Sequence, residues 1–372
     1  MNQLPGYVKY FFIIASMIVT FYLLIWAQSI LSPIFAALIA ALLLRPVSGF
    51  IEKFNISRGV SSILSIILVI AVFFGLSYFF STQINNIVKD LNEIRGRLTE
   101  IFDQINTWLQ NTFALAPQQQ TQYLKDSLNT LLESSTSAIS RTVGATADFF
   151  TAFFLFLLAL FFILFYRRFF VAFLYKMFPD NVHQKVGGTI NKVELVVRSY
   201  VLGLLMVIII VAILNSVGLM ILGIQHAIFF GVLAAVLTVI PYIGIFIGSL
   251  LPILFALFTK DSIWYPIGVA ILFWLVQFLE GNFITPNVVG GRVSINPFAA
   301  IIALFLGGMI WGILGMVLSI PILAIVKVVC DAAEPLQPFG YLLGNPPDEE
   351  LENRRGVGMK GMLERLMAKI KK

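Results

Sequence analysis

Long, uninterrupted apolar segments dominate this 372-residue chain and limit how it can fold. A helix needs about 20 apolar residues to cross the hydrocarbon core of a bilayer, where every backbone polar group must find a partner. Charged residues form only 12% of the chain, against about 25% in soluble domains, and they gather between the apolar segments. We therefore predict an all-α, polytopic membrane protein with about eight hydrophobic segments, at 10–30, 33–44, 60–80, 149–166, 200–222, 227–258, 263–284 and 297–329.

Two of these segments are too long for one straight crossing. Segment 227–258 contains Pro241-Tyr242 and Gly244 near its middle, and segment 297–329 contains several glycines and a proline. Proline removes a backbone donor and glycine weakens a helix, so we expect breaks. The first segment is either a broken crossing helix or a re-entrant hairpin. The second is either one tilted helix or another broken one.

The distribution of charge orients the segments. Residues 45–58 and 167–198 carry an excess of Lys and Arg, which marks the cytoplasmic side of a membrane protein. Residues between the third and fourth segments include five basic and seven acidic side chains and are assigned to the outside. We predict a bacterial inner-membrane protein with both termini in the cytoplasm. Its expected parts are spans one to three in 1–82, an extracytoplasmic helical hairpin in 83–148, spans four to eight in 149–330, and a cytoplasmic tail in 331–372.

The extracytoplasmic part carries an apolar seam with alternating spacings of three and four residues, which is typical of a coiled coil. A turn near Pro117 and a returning helix complete the predicted hairpin. The seam either closes on the hairpin itself or forms a contact between subunits. At the other end of the chain, residues 359–372 predict a basic amphipathic helix suited to anionic lipid. The seam consists of Ile84, Ile87, Leu91, Ile94, Leu98, Ile101, Ile105 and Trp108.

Sequence signatures of common soluble enzymes are absent. The chain contains no GxxxxGK[ST], GxSxG or HExxH motif. Its single cysteine, Cys330, excludes an intrachain disulfide, and His183 and His226 are far apart in sequence. We expect a protein that is not an enzyme and uses no cofactor or metal. The net charge of +6 is explained by membrane topology, so no nucleic-acid partner is expected.

Polar residues inside apolar segments are costly and therefore point to function. Glu280 is the only carboxylate within 262–329. It could accept a proton, hold a cation or bind a polar solute, or it could lie at the interface and pair with Arg292. A proline-centred break near Tyr242 could likewise expose backbone groups to a solute. The predicted transport path comprises Pro241, Tyr242, Gly244, Gln277, Glu280, Asn282, Thr285, Pro286 and Asn287, and the predicted helix-packing glycines are Gly248, Gly308 and Gly312.

Two stretches resemble the signature of the AI-2E transporter family. The first is Ile-Pro-Tyr-Ile-Gly-Ile-Phe-Ile-Gly at 240–248, followed by Pro252. The second runs from Pro286-Asn287 through Gly-Gly-Arg at 290–292 towards a glycine-rich end. The resemblance covers roughly residues 5–335. It implies a transporter that forms homo-oligomers, with pentamers known in the family, and a solute such as autoinducer-2, although some relatives look like sodium or lithium/proton antiporters.

Three functions remain open from the sequence. The first is an exporter or facilitator of a small polar solute such as autoinducer-2. The second is a sodium (lithium)/proton antiporter, in which Glu280 binds the monovalent cation. The third is a non-transporting membrane scaffold that uses the outer hairpin and the basic tail as docking surfaces. Broken helices favour the first two functions, since a scaffold has no need of them.

Overall fold

The computed structural model describes residues 6–113, 149–240, 243–288 and 295–345. Regular secondary structure in these ranges is helical throughout, which confirms the all-α prediction. Five of the helices are long and apolar enough to cross a membrane, and a bent pair supplies a sixth candidate. The helices are α1 Gly6–Trp26, α2 Gln28–Glu52, α3 Arg58–Phe113, α4 Phe149–Phe165, α5 Arg167–Lys176, α6 His183–Ile221, α7 Ala227–Leu237, α8 Ile243–Thr259, α9 Trp264–Leu279, α10 Thr285–Val288, α11 Pro297–Ala332 and α12 Gln337–Leu343.

Large apolar side chains cover much of the outer surface of these helices. Phe11 on α1, Trp274 on α9 and Phe305 on α11 are each about two-thirds exposed, at 66%, 67% and 67%. Such a surface is unfavourable in water and suits contact with lipid tails. The chain is thus a multi-pass membrane protein.

The chain divides into two compact units. The first contains Met1–Phe170 and Leu202–Val288, and the second contains Val171–Val201 and Val289–Lys372. Helix α6 contributes its beginning to the second unit and its end to the first. The first unit has two buried apolar cores. One joins α2, α3 and α4, and the other joins α6, α7, α8 and α9, with Phe80 of α3 packed against it.

A polar cluster lies beside the first of these cores. The guanidinium of Arg167, at the 66° bend between α4 and α5, pairs with the carboxylate of Glu52. Ser48 accepts a bond from Arg167 at 3.3 Å and lies 2.9 Å from the hydroxyl of Ser61. Both serines are fully buried. The cluster therefore ties the ends of α2, α3 and α4 together through paired polar groups.

Helices α7 and α8 form an antiparallel pair, here called hairpin 1 (residues 227–259). A methyl group added at Gly244 would collide with the Leu237 carbonyl oxygen, and one at Gly248 would lie 2.9 Å from the Cα of Ala234. The eleven residues of α7 extend about 16 Å, roughly half of the 30 Å hydrocarbon core. A single broken crossing helix is therefore excluded for this segment, because α7 and α8 run in opposite directions.

Helix α11 also folds back on itself. Trp311 has φ −132° and ψ 19°, and Gly312 has φ 61° and ψ −139°, a left-handed value that favours glycine. A methyl group at Gly307 would collide with the Gly315 carbonyl oxygen, whereas a straight helix would hold these residues about 12 Å apart. Of the two alternatives left open for this segment, the structure shows the broken helix, which forms hairpin 2 with arms 297–310 and 313–332.

Two expected boundaries are wrong. Helix α2 includes both Pro33 and Pro46, which we expected to limit a shorter segment. Membrane helices tolerate proline when neighbouring groups satisfy the freed backbone, and Pro33 is buried against such neighbours. Helix α6 begins at His183, within the stretch that we predicted to be a loop. Its Lys, Glu and Arg residues are good helix formers, so their charge does not end the helix.

The tail departs from its prediction in the same way. A 3₁₀ turn and α12 occupy a stretch that we expected to be loop. The amide nitrogen of Asn296 donates to the carbonyl oxygens of Leu342 at 2.6 Å and Gly344 at 3.1 Å, which holds the end of α12. The predicted basic amphipathic helix and the returning half of the outer hairpin lie outside the described residues. The first half of that hairpin continues α3 without a break to Phe113.

Candidate solute site

A cavity lies at the tip of hairpin 1, against the C-terminal half of α6. A methyl group at Gly231 of α7 would collide with Ser216 of α6, which fixes how far the hairpin reaches along that helix. The cavity touches Val211, ten residues before α6 ends at Ile221, or about 15 Å along the helix. Broken helices of transporters commonly border their solute sites.

The cavity has a volume of about 260 Å³, which suits a small solute. Residues of four helices of the first unit and of their ends line it, namely α6, α7, α8 and α9. None of the lining residues in the described chain carries a charge, and most are apolar. Four of them are polar. They are Asn215, Thr238, Ser249 and Gln277.

The polar side chains of the cavity have already used donor groups elsewhere. The hydroxyl of Thr238 donates to the Ala235 carbonyl at 2.7 Å, and that of Ser249 donates to the Phe246 carbonyl at 3.1 Å. A hydroxyl that has given its hydrogen keeps its lone pairs for a partner. The cavity therefore offers hydrogen-bond acceptors to whatever enters it.

Asn215 supplies the clearest acceptor. Its side chain is 2% exposed, and its Oδ1 oxygen is buried with no hydrogen-bond partner among the described residues. Buried polar groups are nearly always paired, because an unpaired one costs about 1–3 kcal/mol. This oxygen can accept a hydrogen bond from a molecule in the cavity, water included.

Glu280 lies next to the cavity and is held by two neutral side chains. Gln277 donates through Nε2 to Glu280 Oε2 at 2.7 Å, and the Thr285 hydroxyl donates to Glu280 Oε1. The five residues Glu280–Ile284 form a π-helical turn, and the Thr285 amide closes it on the Glu280 carbonyl. Such turns are rare and are frequent at functional sites. A π-helical turn contains one residue more than an α-helical turn, and this places the Thr285 hydroxyl within hydrogen-bond distance of the Glu280 carboxylate.

The contacts between α6 and α9 set their relative direction. Gly218 faces Leu272, and a methyl group at Gly268 would lie 3.3 Å from Leu222, so the two helices run antiparallel where they meet. Glu280 follows Leu279, the last residue of α9, and its side chain is half-buried. A partly buried carboxylate inside an apolar segment is costly and points to function.

Of the predicted path residues, the structure brings Gln277, Glu280 and Thr285 together and places Gly244 in the cavity lining. The amides of Asn282 and Asn287 instead donate to backbone carbonyls four residues earlier, at 2.9 and 2.7 Å, and they are exposed. These two side chains do not join the cluster. Pro286 is exposed on α10, and Pro241 and Tyr242 lie outside the described residues.

The three glycines predicted for packing occupy different environments. Gly248 approaches Ala234 within hairpin 1, and a methyl group at Gly308 would lie 2.7 Å from the Met316 Cε within hairpin 2. Gly312 has open space around it and forms the turn of hairpin 2. Glycine is therefore needed at 312 because of the positive φ, and not because another group packs closely against it.

Sequence reasoning gave little weight to Asn215 and did not select Thr238 or Ser249. All three are polar residues inside apolar segments, which is the available signal. Hydroxyls are common in membrane helices because they can bond to their own backbone, so their presence alone is weak evidence. Only the fold shows that they face the same cavity as Gln277.

A multi-pass helical protein with a helical hairpin beside a small uncharged cavity has features typical of a membrane transporter. The comparison with protein families agrees. The family model for the AI-2E family transporter matches residues 12–334, and the chain belongs to that family. The family prediction made from the two sequence motifs is confirmed.

Relatives in distant bacteria match over most of their length. YueF of Bacillus subtilis is 26% identical over 321 residues, covering 82% of this chain and 84% of YueF. A Borreliella burgdorferi protein is 24% identical over 86% of this chain and 85% of its own. MT0215 of Mycobacterium tuberculosis is 25% identical over 85% of this chain and 86% of its own. Each carries a name that describes it as a candidate transport protein.

Proposed function

We propose that this transporter exports a small, neutral, polar solute such as autoinducer-2 through the cavity at the tip of hairpin 1. The observation that carries the proposal is the orphan Oδ1 of Asn215, buried beside that cavity. The unpaired oxygen is unfavourable in the empty protein and becomes favourable when a solute donates to it. The cavity thus matches a solute that carries hydroxyl or amide hydrogens.

The lack of charged side chains in the described lining of the cavity favours a neutral solute. The lining residues of the described chain include no Lys, Arg, Asp or Glu, and the hydroxyls of Thr238 and Ser249 have already donated their hydrogens to backbone carbonyls. An ion entering this apolar site would lose its hydration without finding an opposite charge, which is strongly unfavourable. A neutral solute with several hydroxyl groups loses less and recovers hydrogen bonds from Asn215, Thr238 and Ser249.

Counterflow in proteoliposomes tests the proposal. Vesicles loaded with unlabelled autoinducer-2 are diluted into labelled autoinducer-2, and exchange is followed over time. The test variant is Asn215→Leu, which removes the acceptor and keeps a similar volume. The control is Asn191→Leu, an exposed amide on the same helix and outside the cavity. We expect exchange by the wild type and the control and a loss of at least tenfold in Asn215→Leu, the effect of about 1.4 kcal/mol.

Exchange at the wild-type rate in Asn215→Leu, with both variants inserted and monodisperse, contradicts the proposed cavity. Absence of exchange in the wild type contradicts autoinducer-2 as the solute. Short neutral sugars and polyols are then tested in the same vesicles, because the acceptor-rich lining suits them equally.

A second candidate function is cation/proton antiport, favoured by a different observation. Glu280 is a half-buried carboxylate in an apolar segment, and its two oxygens are held by Gln277 and Thr285. Carboxylates inside the apolar segments of transporters commonly bind the transported proton or cation. Sodium- or lithium-driven proton movement in vesicles, measured with a pH dye, should disappear in Glu280→Gln. Full exchange in that variant excludes the assignment.

We further propose that the protein resides in a bacterial inner membrane with both termini in the cytoplasm. The support is the excess of Lys and Arg in 45–58 and 167–198. We also propose that the protein forms homo-oligomers such as a pentamer. We propose in addition that its basic tail contacts anionic lipid. Cross-linking in native membranes and reporter fusions at each terminus test them.

A further inference from the structure

Gln277 belongs to two sites at once. Its side chain lines the cavity, and its Nε2 donates to Glu280 Oε2 at 2.7 Å. An ionised carboxylate can only accept hydrogen bonds, so the NH₂ group of the amide must face Glu280. The carbonyl oxygen of the same amide is then left as an acceptor, like the other polar atoms of the cavity. The charge on Glu280 thereby fixes which end of the amide is available to a solute.

We propose that Gln277 relays the protonation of Glu280 into the cavity, so that a proton and the solute oppose each other and transport is proton/solute antiport. This inference rests on the proposed function. It adds the driving ion, the residue that binds it and the residue that couples the two. Gln277 and Thr285 act as positioning residues, and Glu280 binds the proton.

The two hydrogen bonds of Glu280 define which of its oxygens takes the proton. The Thr285 hydroxyl holds Oε1 of Glu280, which leaves Oε2 as the oxygen that faces Gln277. A proton that adds to Oε2 converts this oxygen from an acceptor into an O–H donor. The donor requires the carbonyl oxygen of the Gln277 amide, so the amide turns over and its NH₂ group becomes available to the cavity. No bond other than the O–H bond forms or breaks.

Turning the Gln277 amide over changes which hydrogen-bonding group the cavity presents to the solute. With Glu280 ionised, a solute hydrogen meets the Gln277 oxygen. With Glu280 protonated, the same solute hydrogen meets an N–H group, and one hydrogen bond is lost. Losing one hydrogen bond weakens binding by about tenfold. Because linkage is reciprocal, solute binding must release the proton by the same factor.

Few other titratable groups surround Glu280. The described elements that pack against its π-helical turn are mainly α9 and α10. The sole titratable side chain of α9 is Tyr265, about four turns away, and α10 carries none. The cavity-lining residues from α6, α7 and α8 are uncharged. A proton effect on the cavity therefore traces to Glu280 within the described part of the chain.

Proton release on solute binding tests the relay without a membrane. Purified wild-type protein in weakly buffered detergent solution is mixed with autoinducer-2, and a pH dye reports protons released or taken up. We expect release by the wild type and by Glu334→Gln, a control carboxylate that is exposed and outside the first unit. Neither Glu280→Gln nor Gln277→Leu should release protons, the first because it has no proton to lose and the second because the relay is broken.

Counterflow at a series of equal internal and external pH values separates the relay from the proposed function. Wild-type exchange should lose about tenfold in apparent affinity on acidification, and Glu280→Gln should exchange with no pH response. No exchange by the wild type overturns the proposed function itself. Exchange with an unchanged pH response in Glu280→Gln, or in Gln277→Leu, overturns only the relay. Proton uptake on solute binding also overturns it, since that sign belongs to symport.

Discussion

The amide nitrogen of Gln277 lies 2.7 Å from Glu280 Oε2, while the same side chain lines a cavity at the tip of hairpin 1. One residue thus connects an uncharged, solute-sized space with a carboxylate. The π-helical turn makes this possible, because it returns Thr285 to the second carboxylate oxygen. The uncharged cavity and the ionisable carboxylate of Glu280 are therefore neighbours, and the amide of Gln277 joins them.

Asn215→Leu should separate stability from transport. The substitution removes a buried oxygen that has no partner in the described chain and replaces it with an apolar group of similar size. We expect unfolding stability in detergent to stay the same or rise by about 1 kcal/mol, while solute exchange is lost. Thermal unfolding by tryptophan fluorescence measures the first effect. A large destabilisation would show that Asn215 is a structural residue.

Thr238→Val and Thr259→Val form a matched pair. Both hydroxyls donate to a carbonyl of their own chain at 2.7 Å, but Thr238 lines the cavity and Thr259 does not. Loss of the local bond should cost each variant a similar stability, within about 1 kcal/mol. Only Thr238→Val should weaken solute affinity, by several-fold in counterflow. Equal affinities in the two variants contradict a role for the Thr238 oxygen.

Gly244→Ala should destabilise hairpin 1. Its methyl group would collide with the Leu237 carbonyl oxygen, which cannot move without distorting α7. We expect a cost of about 2 kcal/mol or more in thermal unfolding. Gly188→Ala on α6 is the control, because it has open space and should stabilise its helix by up to about 1 kcal/mol. Tolerance of alanine at 244 would mean that the tip is looser than described.

The Glu52–Arg167 pair should contribute to the packing of α2 against α4. The two side chains are only 17% and 20% exposed, so removing one partner leaves a poorly solvated charge. Glu52→Gln and Arg167→Gln should each cost about 1–3 kcal/mol. The double variant should cost at least about 1 kcal/mol less than the sum. Additive losses would show that the two side chains act independently.

Much of the fold follows from the sequence because lipid allows few solutions. Apolar length predicts the hydrophobic segments, and the prolines and glycines within 227–258 and 297–329 mark these two segments as candidates for a break. The direction of the chain after each break could not be predicted, since a broken crossing and a hairpin share the same proline and glycine pattern. Close contacts such as Gly307 with Gly315 decide it, and these exist only in three dimensions.

The candidate site was predictable only in part. Gln277 and Glu280 share a helix face at a spacing of three, which the sequence shows directly. Thr285 meets Glu280 because of a π-helical turn, and no sequence rule marks such a turn. Asn282 fails to join them since its amide bonds to the Phe278 carbonyl. Asn215 lies more than 60 residues before Gln277, so only the packing of α6 on α9 brings both to one cavity.

The central claim is that the solute passes through the cavity at the tip of hairpin 1. It is tested most directly by asking whether the solute protects a cysteine in this cavity from labelling. Ser249→Cys is built in a Cys330→Ser background, and its labelling rate by a small thiol reagent is measured with and without autoinducer-2. Asn191→Cys, exposed on α6 and outside the cavity, is the control. We expect the solute to slow labelling at 249 several-fold and to leave the rate at 191 unchanged. Equal rates at 249 with and without a solute that the protein demonstrably exchanges would contradict transport through this cavity.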